Sequence, residues 1–267
     1  MTYTHAYTHA YTPAEMMTVA AARALDNRDV CFVGIGLPSA ACNLARLTHA
    51  PRVHLIYESG TLGTRPDVLP LSIGDGELCE TALTTVPVPE IFRYWLQGGR
   101  ITVGFLGGAQ VDRFGNLNST VIGSYANPKV RLPGSGGATE IATSAGQIFI
   151  VMRHGARSFV RQLDFLTTLG HGRTGRERRE LGIRTKGPTL VVTDLCVMRP
   201  DPETCEMVVS SLHPGITGEQ VCRNTGWDVR FAETVEETAP PSAEELEVLR
   251  DLHARTARAH GAEGGSE

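Results

Sequence analysis

One carboxylate occupies the position in this sequence best suited to chemistry. Glu58 follows the apolar run 53–57 and is followed directly by Ser59 and Gly60. A short apolar run with Val, Ile and Tyr predicts a buried strand, and open α/β sheets bind their ligands beyond the carboxyl ends of their strands. A carboxylate placed there acts either as a reagent, such as a nucleophile, or as a group that holds a ligand by hydrogen bonds.

Three glycine-rich turns supply backbone N–H donors. They are Gly34-Ile35-Gly36, Gly107-Gly108-Ala109-Gln110 and Gly134 to Ala138. The first two follow predicted strands, and the third precedes a short predicted helix, residues 139–143. Successive glycines at a helix start present N–H groups that suit an anion or a developing oxyanion, although a flexible connector has the same composition. If these turns meet Glu58 at one edge of a sheet, they form a site.

The first glycine turn also allows a different function. The segment 34–39 has the sequence Gly-Ile-Gly-Leu-Pro-Ser and partly matches a dinucleotide-binding fingerprint. Glu58 stands at about the distance at which that motif places its ribose-binding carboxylate. Ser39, however, replaces the third glycine, which allows close packing of helix and strand in the fingerprint. From these residues, a dinucleotide-binding oxidoreductase is an outside alternative.

Other catalytic motifs do not occur in the sequence. It contains no Gly-x-Ser-x-Gly elbow, no Walker loop and no His-Glu-x-x-His. The six cysteines lie far apart, without a Cys-x-x-Cys pair or a histidine at metal-ligand spacing. We therefore predict buried free thiols, no disulfide and no bound metal. The stretch 170–187 is glycine-rich with mixed charges, which predicts an exposed loop rather than a binding site.

The elements that hold these residues alternate between strand and helix. Thr12 and Glu15 form a capping box that predicts the first helix. Strands at 30–33 and 53–57, with a helix at 38–47 between them, predict a parallel β-α-β unit. Further helices are predicted at 89–97, 217–224 and 242–259, and further strands at 101–106, 147–152, 189–193 and, as a pair, within 197–212.

This alternation predicts an α/β fold, with an open, mainly parallel sheet flanked by helices and a small antiparallel element in the C-terminal half. We expect one domain over residues 12–260. Residues 1–11 are expected to form a flexible N-terminal extension, and residues 261–267 a disordered tail.

The bulk composition excludes several classes of function. Of the 267 residues, 41% are hydrophobic and 20% are charged, and the formal net charge is -4. The chain therefore has no basic surplus to neutralise the phosphates of nucleic acid. No apolar stretch approaches the ~18 residues of a membrane span, and the first residues lack the pattern of a signal peptide. We expect a cytoplasmic protein that binds neither nucleic acid nor membranes.

Five motifs occur in order along the chain: Val33 to Pro38, Glu58 to Gly60, Gly107 to Asp112, Gly115 to Thr120 and Gly134 to Ala138. Together they resemble the small, B-type subunit of the family I coenzyme A transferases. The likeness runs from about residue 12 to about residue 260. Among the branches of the family, it is greatest to the 3-oxoadipate transferases of the glutaconate-transferase-like type, through the segments 73–77, 92–100 and 211–215.

The resemblance implies roles for particular residues. Glu58 is expected to be the nucleophilic glutamate that carries coenzyme A as a thioester. The loop amides of Gly136, Gly137 and Ala138 are expected to form the oxyanion hole and to contact coenzyme A. The residues expected to line the same cleft are Gly34, Gly36, Gly107, Gly108, Gln110 and Asn118.

The resemblance also implies partners and substrates. The family works as a pair of unlike subunits with the site at their junction, so a separate A subunit is expected, in a heterodimer or heterotetramer. Succinyl-CoA and 3-oxoadipate are the expected substrates, in aromatic degradation, with glutaconate or acetoacetate as alternative acceptors. An acyl-CoA hydrolase on the same scaffold is a further alternative. No metal or redox cofactor is expected.

Overall fold

The strands of this computed structural model, which describes residues 10–261, form one ten-stranded sheet and two small two-stranded sheets. In chain order they are β1 (Val30–Phe32), β2 (His54–Ile56), β3 (Thr61–Leu62), β4 (Thr84–Thr85), β5 (Val103–Leu106), β6 (Gln110–Val111), β7 (Leu117–Asn118), β8 (Val121–Gly123), β9 (Pro128–Arg131), β10 (Gln147–Val151), β11 (Pro188–Val192), β12 (Cys196–Pro200), β13 (Met207–Leu212) and β14 (Arg230–Glu237). The small sheets pair β6 with β7 and β8 with β9.

The centre of the large sheet is parallel. Its strand order is β14-β13-β12-β11-β10-β5-β1-β2-β3-β4, and the five strands from β11 to β2 all pair in parallel. Strand β12 pairs antiparallel with both neighbours, as β3 does with β2 and β4. The predicted α/β fold class, the parallel β-α-β unit and the antiparallel element of the C-terminal half are therefore confirmed. The carboxyl ends of β5, β1 and β2 lie side by side at one edge.

Two of the helices begin directly after the capping residues that the sequence predicts. They are α1 (Pro13–Ala22), α2 (Leu37–Leu47), α3 (Gly76–Glu80), α4 (Val88–Glu90), which continues as a π-helix (Ile91–Leu96), α5 (Ala138–Ser144), α6 (Glu177–Glu180), α7 (Gly218–Arg223) and α8 (Ala243–His260). The hydroxyls of Thr12 and Ser242 each accept the N–H of the glutamate three residues on, and each glutamate accepts the N–H of its cap residue. These reciprocal bonds satisfy N–H groups that a helix start leaves without partners.

Successive residues of the central strands pack on opposite faces of the sheet. In β2, Leu55 belongs to a hydrophobic cluster with α1, α2 and α8, while Ile56 belongs to a cluster with α5 and the π-helix. Both side chains are 0% exposed, and burying each contributes about 2 kcal/mol. Tyr57 returns to the first cluster. Strand alternation therefore directs Glu58 toward the face that carries α5 and the π-helix.

The predicted exposed loop at 170–187 holds for most of the segment but not for Arg178. The segment contains α6, and Arg178 within it is only 5% exposed. Its guanidinium donates to four backbone carbonyl oxygens, those of Ala142, Leu169, Gly170 and Thr185. The guanidinium has five N–H donors, so carbonyl oxygens can satisfy it without a carboxylate partner. Burial lowers the pKa of Arg178 to about 10, which keeps it charged at neutral pH.

The prediction that all the cysteines are buried fails most clearly at two positions. The six cysteines are free thiols, but Cys79 and Cys222 are exposed. Each lies in a short helix whose buried residue is the preceding one, Leu78 in α3 and Val221 in α7. The next position of such a helix is turned away from the core by about 100°.

The structure describes only a few residues of the two predicted terminal segments. The predicted N-terminal extension, residues 1–11, and tail, residues 261–267, lie outside the described residues except for Ala10, Tyr11 and Gly261. The carbonyl of Ala10 accepts a hydrogen bond from Arg250 at 2.7 Å. The extent of the domain, residues 12–260, stays a prediction. Among the helices of residues 10–261, none has the length and apolar character needed to cross a membrane.

Buried histidines should make folding stability depend on pH. Burial lowers the pKa of His154 to about 4 and also lowers the pKa values of His171 and His213. A histidine in the unfolded chain titrates near pH 6.5, so below that pH the unfolded state binds protons that the folded state does not. We expect stability to fall as pH decreases from about 6.5 toward 4, with His154 alone contributing a loss of ~2 kcal/mol by about pH 5.

Urea unfolding at about pH 7.5, 6.5 and 5 measures this dependence. The matched variant is His154→Gln, which cannot titrate. It should be less stable at neutral pH, because His154 bonds the hydroxyls of Thr193 and Thr225, but its loss of stability between pH 6.5 and 5 should be smaller. An equal loss in both proteins would contradict the assignment to His154.

Candidate active site

Glu58 lies in a tight turn between β2 and β3. The N–H of Gly60 donates to the carbonyl of Tyr57 at 3.0 Å, and the carbonyl of Gly60 accepts from the N–H of Val86 at 2.9 Å. Gly60 has a φ of 109°, and a Cβ on it would lie 2.0 Å from the Val86 carbonyl oxygen. Only glycine fits there. The turn therefore holds the backbone of Glu58 in place, while the residue itself is only partly buried.

A buried hydrogen bond fastens the end of this strand to α2. The hydroxyl oxygens of Tyr57 and Ser39 are 2.7 Å apart, and both residues are 0% exposed. Burial raises the pKa of the Tyr57 hydroxyl well above its usual value, so the bond is between two neutral groups. Ser39 is the residue that departs from the dinucleotide fingerprint. Its hydroxyl joins the start of α2 to the residue before Glu58.

The loop before α5 reaches the Glu58 side chain. A Cβ placed on Gly137 would lie 3.0 Å from Glu58 Oε1, and 2.7 and 2.8 Å from Cζ and Cε1 of Phe92. The carboxylate and the tip of the aromatic ring therefore both lie against the backbone of Gly137. The predicted pairing of the nucleophile with this loop is present in the structure, although its catalytic role stays a prediction.

Two of the three predicted N–H donors in the same loop are unused. Its backbone is held where the N–H of Gly134 donates to the Ser119 carbonyl at 2.9 Å and the Ser119 hydroxyl donates to the Gly134 carbonyl at 2.8 Å. The N–H of Ala138 donates to the Ser135 carbonyl at 2.8 Å. Within residues 10–261, the N–H groups of Gly136 and Gly137 have no hydrogen-bond partner. Of the three predicted donors, these two are available to an oxyanion.

Gly137 admits a direct test of this contact. The Gly137→Ala substitution should lower kcat/KM by about a hundredfold, because the added methyl group displaces the Phe92 ring or the Glu58 carboxylate. The φ of Gly137 is -80°, which alanine adopts freely, so the substitution adds no backbone strain and the protein should still fold. Initial rates and thermal unfolding, measured together, check both expectations.

The control for this substitution is Gly76→Ala, at the start of α3. A Cβ on Gly76 would have no atom within 4 Å, so this variant should retain full activity. A Gly137→Ala enzyme as active as the Gly76→Ala enzyme would show that the loop does not need its close approach to Glu58.

The remaining predicted residues fall into two groups. Gly34 and Gly36 follow the carboxyl end of β1, which is next to β2 in the sheet, and Gly107 follows the carboxyl end of β5, on the other side of β1. They therefore share the edge from which Glu58 projects. Gln110 and Asn118 are buried instead, at 6% and 0% exposure.

Gln110 and Asn118 hold a hairpin together. Asn118 Nδ2 donates to Gln110 Oε1 at 2.8 Å, and Gln110 Nε2 donates to Asp164 Oδ2 at 3.2 Å. Gly108 lies against this hairpin, because a Cβ on it would be 3.0 Å from the Asn118 carbonyl oxygen. None of the hydrogen bonds of Gln110 and Asn118 reaches Glu58. Their geometry explains how β6 and β7 are held, and their predicted place in the cleft stays a prediction.

Two features of the site were not predicted from the sequence. Phe92 lies on the π-helix, and in the sequence it belonged to a predicted helix and to the segment 92–100 of the family resemblance, neither of which assigned it to the site. Ser59, beside Glu58, has a hydroxyl oxygen that is buried and has no hydrogen-bond partner within residues 10–261. Across the same residues, no group of three or more His, Cys, Asp or Glu side chains is arranged to hold a metal ion.

The sequence is similar to proteins of one known family. Residues 14–224 match the family described as Coenzyme A transferase. The chain is 65% identical over 253 residues to the B subunit of the 3-oxoadipate CoA-transferase of Pseudomonas knackmussii, covering 95% of this chain and 97% of that protein. It is 40% identical over 237 residues to the B subunit of the glutaconate CoA-transferase of Acidaminococcus fermentans, covering 86% and 88% of the two chains.

The fold is also similar to a solved structure. The crystal structure of glutaconate coenzyme A-transferase from Acidaminococcus fermentans matches with a TM-score of 0.85 and 34% identity, over 90% of this chain and 94% of that chain. The predicted family and subunit type are thereby confirmed. The chain belongs to the coenzyme A transferase family and is of the B-subunit type.

Proposed function

We propose that this chain is the B subunit of an enzyme that transfers coenzyme A from succinyl-CoA to 3-oxoadipate, with Glu58 as the covalent carrier. The observation that carries the proposal is the contact between the Glu58 carboxylate and the backbone of Gly137, beside two unused N–H groups. A nucleophile and oxyanion donors placed together are what acyl transfer requires.

The first half of the reaction loads the enzyme. A Glu58 carboxylate oxygen attacks the thioester carbonyl carbon of succinyl-CoA, the C–S bond breaks, and a mixed anhydride and coenzyme A thiolate form. The thiolate then attacks the Glu58 carbonyl carbon of the anhydride. The anhydride C–O bond breaks, succinate leaves, and Glu58 holds coenzyme A as a thioester. The Gly136 and Gly137 amides stabilise the oxyanion of each tetrahedral intermediate.

The second half reverses these bonds on the acceptor. A carboxylate oxygen of 3-oxoadipate attacks the Glu58 thioester, the thiolate leaves, and a second anhydride forms. Attack of the thiolate on the acceptor carbonyl carbon gives 3-oxoadipyl-CoA and restores the Glu58 carboxylate. No atom changes oxidation state and no water is consumed. The proposed chemistry therefore needs no redox cofactor.

Two similar proteins support the proposed acceptor and the proposed partner subunit. The 3-oxoadipate enzyme of Pseudomonas knackmussii is 65% identical to this chain, whereas the glutaconate enzyme is 40% identical. We therefore propose 3-oxoadipate rather than glutaconate as the acceptor. With this acceptor, we propose a role for the enzyme in aromatic degradation. Both relatives are named as B subunits. We propose a separate A subunit for this chain as well, with the site at the junction of the two.

One experiment tests the covalent carrier. The chain is co-expressed with its A subunit and mixed with succinyl-CoA in the absence of acceptor, and the peptide that contains Glu58 is examined by mass spectrometry. We expect the added mass of coenzyme A on that peptide, lost when 3-oxoadipate is added. Without the adduct on wild-type protein, Glu58 is not the carrier. Steady-state rates with 3-oxoadipate, glutaconate and acetoacetate then rank the acceptors.

A further inference from the structure

Phe92 is placed beside Glu58 by an unusual turn of helix. The N–H of Gln97 donates to the Phe92 carbonyl at 2.8 Å, and that of Arg100 to the Trp95 carbonyl at 2.9 Å. Both bonds span five residues, one more than in an α-helix, which widens the helix at this point. Such π-helical turns occur often at functional sites, because they shift the side chains that they carry. The π-helical turn therefore sets the position of the Phe92 ring.

The ring is supported on one side and meets the site on the other. Phe92 packs on the hydrophobic cluster that contains Phe32, with ring centroids 6.0 Å apart and planes inclined at 56°. Its Cζ would be 2.7 Å from a Cβ on Gly137, and Glu58 Oε1 would be 3.0 Å from the same point. The ring tip and the carboxylate oxygen are therefore less than about 6 Å apart. This leaves little room for an ordered water on that side of the carboxylate.

We propose that the Phe92 ring keeps water from the acyl intermediates on Glu58 and so decides that coenzyme A is transferred rather than hydrolysed. The proposal rests on the proposed function, because it concerns the thioester and anhydrides formed at Glu58. In the competing reaction, a water oxygen attacks the Glu58 thioester carbonyl, the C–S bond breaks and the thiolate leaves. The products are the Glu58 carboxylate, free coenzyme A and one proton.

The polar groups around the ring explain why its removal would admit water. A cavity holds water only when it is large enough and supplies two or more polar partners. Phe92→Ala would vacate the space of the whole ring beside the Glu58 carboxylate and the backbone of Gly137, whose N–H is unused. A water there would have both hydrogen-bond partners and a position next to the reacting carbonyl carbon.

The test compares hydrolysis with transfer in complexes of this chain and its A subunit. Free thiol released from succinyl-CoA without acceptor measures hydrolysis, and 3-oxoadipyl-CoA formation measures transfer. Phe92→Ala should raise the ratio of hydrolysis to transfer at least tenfold and shorten the life of the Glu58 adduct by a similar factor. Phe92→Leu, which keeps an apolar side chain in place, should stay near wild type, and Phe92→Val should fall between them.

The control is Tyr94→Ala on the same π-helix. The Tyr94 side chain is 50% exposed, and its loss should leave the ratio unchanged. If the Phe92 variants transfer more slowly but keep the wild-type ratio and adduct lifetime, the ring does not exclude water and the proposal is wrong. If Phe92→Ala does not fold, the valine and leucine variants decide by the same ratio. Absence of any adduct in wild type would refute the proposed function instead.

Discussion

The Glu58→Ala enzyme is expected to lose at least about a thousandfold in transfer rate, because removing a covalent nucleophile removes every step that passes through it. No hydrogen bond or ion pair of Glu58 is found within residues 10–261, so the substitution costs the fold little. Thermal unfolding of the variant should match wild type. The loss should appear in kcat, measured by 3-oxoadipyl-CoA formation in the complex with the A subunit.

Two further variants sharpen this test. Glu58→Gln preserves the size of the side chain but cannot be acylated by the same route, so it should be as inactive as Glu58→Ala. Glu80→Ala removes an exposed carboxylate from α3 and should keep wild-type activity. If Glu58→Ala retained more than about a tenth of the wild-type rate, another group would have to be the carrier.

The Arg178→Met protein is expected to lose about 3 kcal/mol or more of folding stability, because four carbonyl oxygens, two of them in buried and two in partly buried hydrogen bonds, lose a donor. Arg178 Nη2 donates to the Ala142 carbonyl at 2.8 Å and Nε to the Thr185 carbonyl at 2.9 Å. The Thr185 hydroxyl in turn donates to the Thr143 carbonyl at 2.8 Å. These bonds satisfy carbonyls at the end of α5, where a positive charge is also favoured by the helix dipole.

The consequence should extend to the active site, because α5 begins at the loop that contacts Glu58. Urea unfolding gives the stability of Arg178→Met, and its kcat should be reduced at temperatures where it is folded. The matched control is Arg179→Met, the next residue, which is exposed and forms no ion pair within residues 10–261. It should change stability by less than ~0.5 kcal/mol. Equal effects at the two positions would mean that the buried guanidinium is not what holds α5.

Local sequence patterns predicted much of the fold. The capping boxes at Thr12 and Ser242 lie at helix starts, and the apolar runs before Gly34, Glu58 and Gly107 are strands. These elements were predictable because each depends on residues within a few positions of one another. Parallel pairing followed from the alternation of strand and helix. It placed Glu58 and the first two glycine turns at one edge of the sheet.

Two features were not predictable, for a common reason in the tertiary structure. The charged composition of 170–187 predicted exposure, which holds for most of the segment, but distant carbonyls, including that of Ala142 in α5, enclose Arg178. The helix predicted at 89–97 is present, but no periodicity marks the π-helical turn that shifts Phe92. Burial of a charge and placement of a ring both depend on what packs against them, which composition does not specify.

The sequence by itself determined that this protein has a carboxylate at a strand end and glycine turns in the order typical of the coenzyme A transferase family. It also determined most of the helices and strands that carry them. Only the tertiary structure decided that Phe92 joins Glu58 at the backbone of Gly137. These residues are far apart in the chain, and their contact depends on the strand order β5-β1-β2 and on the packing of α5 and the π-helix against one face of the sheet. Side-chain contacts of this kind arise from close packing of distant segments, so local patterns do not contain them.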